Sequence, residues 1–138
     1  MNSLKLADGF LRQARVRLKT AKDVKKDRMH SFSIRQSQEC VELALKAALI
    51  YVGIEAPKWH DVGPVIKLNS NRYPEFFQKE VSRLVHISRK LRREREPSMY
   101  GDEVLGLSSD ELYTEYDAEK AIEDAEFVFK ISKKLIEG

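Results

Sequence analysis

Apolar residues recur near the start of the chain in alternating steps of three and four, at Leu4, Ala7, Leu11, Ala14, Leu18 and Ala21, with Phe10 and Val24 widening the stripe. That period is helical, and layers of Leu alternating with Ala let a second helix approach closely in an antiparallel bundle. A second helix is predicted from the serines at 31 and 33, whose hydroxyls can cap it, to about Gly53. Between Cys40 and Val52 only Glu42 and Lys46 interrupt the apolar residues, so this helix is predicted to be the central one. A short helix follows, carrying Val62, Val65, Ile66 and Leu68, with Asp61 as its candidate cap and Pro64 confined to its first turn.

A third long helix is predicted to open at Tyr73-Pro74-Glu75, to turn Phe77, Val81, Leu84, Ser88 and Leu91 inward, and to end by Glu96 because Pro97 disfavours helical geometry before it. Residues 97 to 116 read as a loop of turn formers. The last helix is predicted to begin near Asp117 as cap and to bury Ala118, Ala121, Ile122, Ala125, Val128, Phe129, Ser132, Leu135 and Ile136. Nothing reads as a strand. The expected fold is all-α, an up-and-down helical bundle of four long helices and one short one, forming a single domain over residues 1–138.

A chain of 138 residues can bury a core without disulfides or metal. The lone Cys40 lies in an apolar stretch and reads as a buried thiol in a reducing compartment. His30, His60 and His86 have no metal-ligand spacing with one another or with Cys40, so neither a metal site nor a cofactor is predicted. The longest apolar run, Ala47 to Ile54, is too short to span a membrane, and the charged N-terminus lacks a signal core, which predicts a cytoplasmic protein with no membrane partner.

The net charge of +3 conceals an asymmetry: residues 1–101 hold 21 Lys or Arg against 11 Asp or Glu, and residues 102–138 hold 4 against 11. Either the basic part offers a surface to an anionic partner, or oppositely charged helices attract one another inside the molecule. The densest run is Arg89-Lys90-Leu91-Arg92-Arg93-Glu94-Arg95. It can serve as the cationic end of a helix or as a phosphate-contacting patch, for which arginine's bidentate geometry is well suited. Phosphate loops, paired cysteines and nucleophile elbows are all missing, which shifts weight from conventional enzymes towards a binding protein or a small composite-site nuclease.

The order of four segments then becomes specific: Gln38-Glu39-Cys40-Val41-Glu42-Leu43-Ala44-Leu45-Lys46-Ala47 on the apolar helix, His60-Asp61, Arg72-Tyr73-Pro74, and Arg95-Glu96-Pro97-Ser98-Met99-Tyr100-Gly101-Asp102. Over nearly the whole chain this resembles the stand-alone archaeal and bacterial members of the HEPN family, the higher eukaryotes and prokaryotes nucleotide-binding domain. The resemblance implies a helical bundle that forms a homodimer and works beside a minimal nucleotidyltransferase protein as a toxin and antitoxin pair. It also implies a site of Arg, four to six variable residues, and His, which in active members makes a metal-independent ribonuclease.

Arg95 stands at the Arg position of that motif, but Tyr100 occupies the place of the His, and Glu96 replaces the polar residue that commonly follows the Arg. Phenols are protonated at neutral pH and make poor general bases. The pair Arg95 and Tyr100 is therefore a degenerate catalytic pair or, with Arg89, Arg92 and Arg93, a nucleotide- or RNA-binding surface on which Tyr100 stacks a base, unless Tyr100 merely packs the loop onto the bundle. His60 and Asp61 are further candidates, with a helix cap and an interhelical hydrogen bond as their alternative role. A scaffolding helical protein with no ligand is the remaining reading.

Overall fold

The computed structural model describes residues 3–58 and 61–138. Trp59 and His60, with the role expected of His60, lie outside the described residues. Helix α1 (Ser3–Lys26) buries the predicted stripe of Ala7, Leu11, Ala14, Leu18 and Ala21. Leu4 is instead 54% exposed. The partner helix α8 (Glu115–Glu137) runs antiparallel and ends at Glu137 opposite Arg15, so the first turns of α1 project beyond it.

Helix α2 (His30–Tyr51) buries thirteen of its 22 residues. It packs against α1 and α8 and also touches α3 (Gly63–Leu68), α5 (Val81–Arg92), α6 (Arg95–Tyr100) and α7 (Ser109–Leu112). The serines do not cap it. The α1–α2 turn is short, with Arg28 in the left-handed region (φ 62), and α2 starts at His30 behind an N-cap of Met29 that makes no side-chain bond. Ser33 Oγ accordingly faces α1 and donates to the Ala21 carbonyl at 2.8 Å, while Ser31 Oγ donates to the Asp110 carboxylate at 2.8 Å. The far end closes as predicted on Gly53 (φ 85), where the Gly53 and Ile54 amides donate to the carbonyls of Ile50 and Leu49.

Pro64 sits in the first turn of α3. The expected third long helix is divided into α4 (Glu75–Gln78), α5 and α6. Tyr73 stacks on Phe77 at 4.2 Å and donates its hydroxyl to the Ala48 carbonyl, which ties α4 to α2. The second break has a local cause. Pro97 lacks the N–H that would bond to the Arg93 carbonyl four residues back, and its ring crowds that carbonyl. The chain therefore leaves the helix at Arg93 and Glu94 and restarts at Arg95, with Pro97 in the first turn, where a missing N–H costs nothing. Pro97 thus breaks the helix upstream of itself rather than ending it.

The stretch expected to be a loop is largely ordered. A turn over residues 102–107 closes through paired amide bonds between Asp102 and Leu107, and α7 follows with a Ser108/Glu111 capping box. The cap of α8 is Thr114, not Asp117: Asp117 sits in the first turn, and its carboxylate reaches back to the Thr114 amide at 2.9 Å. The predicted inner face of α8 is buried throughout. No strand is present among the described residues, and none of their helices is long and apolar enough to cross a membrane.

The charge asymmetry is spent inside the molecule to a large extent, through Arg15–Glu137, Lys22–Glu126, Lys25–Glu119 and Lys90–Asp124. Such partly exposed pairs orient helices more than they stabilise them.

Burial pushes the Cys40 thiol up to about 12 and raises the Tyr73 phenol strongly. In the unfolded chain both ionise near their ordinary values, so above about pH 8.5 the unfolded state holds fewer protons than the native one. Stability to urea is expected to be level from pH 7 to about 8.5 and to fall steadily as the pH rises towards 11. A flat profile across that range contradicts this burial.

Candidate functional site

The break between α5 and α6 turns a run of cations towards the N-terminal half of α2. Between them lies a cleft of about 760 Å³, lined by Arg35, Gln38 and Glu39 from α2 and by Arg92, Arg93, Arg95, Glu96, Pro97, Met99 and Tyr100. Four of the predicted residues, Arg92, Arg93, Arg95 and Tyr100, thus meet in one place. Arg89 is exposed on α5 one turn earlier and does not line the cleft. Lys90 leaves the run in the other direction and holds Asp124 of α8 at 2.6 Å.

Asp61 lies behind the cleft. Its Oδ1 accepts the Gly63 amide at 3.0 Å, at the start of α3, and the Ser88 hydroxyl at 2.6 Å, from α5. It therefore ties two helices together, and a small pocket joins it to Gln38, Glu42, Ser88 and Arg92. His30, at the start of α2, and His86, exposed on α5, are not among the cleft residues. No cluster of three or more possible metal ligands occurs among the described residues.

The cations in the cleft are not equivalent. Arg92 is half-buried and reaches the Glu42 carboxylate at 3.4 Å, which fixes it to α2. Arg35 lies over the Phe32 ring at 4.8 Å. Arg93 and Arg95 are exposed and form no ion pair with a described residue. Of the two carboxylates on the walls, Glu39 is engaged from outside by Arg17 at 3.0 Å and Gln36 at 3.1 Å. What remains is a surplus of positive charge in a concave site, an arrangement that concentrates anions.

Two features brace the chain at either end of α6. The Glu94 carboxylate accepts the Tyr113 hydroxyl on the side away from the cleft, and burial followed by this bond raises the Tyr113 phenol. Gly101 (φ 76), next to Tyr100, packs so tightly that a Cβ there would lie 2.3 Å from the Leu107 carbonyl. Tyr100 is left 72% exposed at the rim, with its ring free to meet a planar group.

Sequence reasoning about the cations missed the α2 wall. Its signal was present as Arg35, Gln38, Glu39 and Glu42, polar residues at helical spacing on the most buried helix of the fold. Replacing Gly101 by Ala is expected to cost at least twice as much stability in urea denaturation as Gly106→Ala, where φ is 69 but the space is open. The latter should cost about 1 kcal/mol. Equal costs contradict the tight turn beside Tyr100.

The HEPN domain family model matches residues 7–135. The sequence is 28% identical to the Methanocaldococcus jannaschii protein named Putative toxin MJ1304, over 97% of this chain and 90% of that one. No solved structure matches it. With the helical bundle, and with Arg95 and Tyr100 flanking one cleft, the family match leads to one conclusion: this chain belongs to the HEPN domain family.

Proposed function

We propose that this protein is a toxin-type HEPN protein that binds single-stranded RNA in the cleft between α2 and the α5–α6 break. The observation that carries the reading is the convergence of four arginines on one concave surface, two of them without an ion pair to a described residue, beside an exposed tyrosine. Arginines supply bidentate contacts to phosphate, and the Tyr100 ring offers a stacking platform for a base. The similarity to a protein named as a toxin supports the toxin-type assignment. In this reading the protein is a homodimer, acts in the cytoplasm, and has a minimal nucleotidyltransferase as its partner protein.

Catalysis is the second reading, supported by Arg95 and Tyr100 lining the same cleft at the family's spacing. Arg95 would steady the phosphate while another group moves the proton of the ribose 2′-hydroxyl. Asp61 bonds to Gly63 and Ser88 and does not line the cleft, which favours a bracing role for it over contact with RNA.

Labelled single-stranded RNA should bind with an affinity that falls steeply with salt, and Arg93→Ala or Arg95→Ala should each weaken it roughly tenfold and lower the salt slope by about one. Unchanged binding in both variants sinks the assignment of the cleft. Incubation of RNA in EDTA separates the two readings: cleavage by the wild type that Arg95→Ala abolishes supports the enzyme, and intact RNA with both supports binding alone. Sedimentation at micromolar concentration should give a dimer, and a monomer there contradicts the proposed assembly.

A further inference from the structure

The N-terminal half of α2 carries an unusual number of buried polar side chains, and nearly all are accounted for. Ser31 bonds to Asp110, Ser33 to the Ala21 carbonyl, Ser37 to the Ser33 carbonyl, and Gln36 to Glu39. Gln38 is the exception. It is only 4% exposed, it lines the cleft, and its amide has no hydrogen bond to any described residue. An amide that lines a cleft and makes no bond to the protein keeps both its donor and its acceptor open to a ligand there.

We propose that Gln38 is the specificity-determining residue of the cleft and hydrogen-bonds the edge of an RNA base. This rests on the reading of the cleft as an RNA site. Gln38 lies one turn from Arg35 on the same face of α2, and one turn from Glu42, which holds Arg92. Its amide therefore stands among cations that take the phosphate. The guanidinium groups outcompete a neutral amide for phosphate oxygens. What a planar amide offers instead is one donor and one acceptor side by side, the complement of a base edge. A volume of about 760 Å³ lies in the range of sites that enclose a small ligand. The site thus divides its work: Arg93 and Arg95 take the backbone of any sequence, Tyr100 stacks, and Gln38 chooses the base.

The test uses fluorescein-labelled hexamers of A, C and U, read by anisotropy, with inorganic tripolyphosphate as a competitor that probes the phosphate subsite alone. The wild type should prefer one hexamer over the weakest by about tenfold. Gln38→Met, of similar length but without the amide, should compress that preference to within about twofold and leave tripolyphosphate competition unchanged. Gln38→Asn, which withdraws the amide by one methylene, should do the same, and its melting curve checks the fold independently. A wild type that binds the three hexamers equally overturns the inference, as does a folded Gln38→Met that keeps the preference. If neither hexamers nor tripolyphosphate respond to Arg93→Ala and Arg95→Ala, the RNA reading of the cleft fails as well, so the two failures are told apart.

Discussion

Helix α2 has almost no side left for water, and the rest of the bundle is arranged to cover it. Its C-terminal half, Cys40 to Leu49, buries apolar side chains against α1, α3, α5 and α8. Its N-terminal half is buried too, but polar, and such a surface is tolerable only where its groups find partners or reach water. Ser33 finds one on α1 and Ser31 finds one on α7, so the hydrogen bonds of α2 fix where its neighbours sit. The stretch between α6 and α8 is ordered by the same constraint, because Asp110 of α7 is the group that satisfies Ser31.

The site arises where this helix meets a deliberate interruption of another. Pro97 deprives the Arg93 carbonyl of its helical partner, and the cation run divides there. Upstream of the break, Lys90 and Arg92 serve the fold through Asp124 and Glu42. At and beyond it, Arg93 and Arg95 project into the cleft with no ion pair to a described residue. One run of like charge therefore contains both structural and available cations, and the break decides which is which.

Much of the architecture was legible in the sequence because it is written in local periodicity. The Leu and Ala layers of α1 and the apolar face of α8 are buried as their spacing requires, and the order of motifs identified the family. The failures have two causes. Ser31 and Ser33 look like caps in sequence, but their partners are Asp110 and Ala21, whose approach no local window contains. Thr114 outcompetes Asp117 as cap because the pair forms a reciprocal box in which the acid belongs in the first turn. In the site, Arg93, Arg95 and Tyr100 could be read from the run and the motif. Arg35 and Gln38 could not be joined to them, because the contact spans more than fifty residues and depends on the direction α6 takes after the break.

The central claim is that the cleft between α2 and the α5–α6 break is where RNA lies. A crystal structure of the protein with a short single-stranded RNA tests it most directly. The account predicts a phosphate within hydrogen-bonding distance of the Arg93 or Arg95 guanidinium, with a base against the Tyr100 ring. RNA bound elsewhere on the bundle, with this cleft empty, contradicts it.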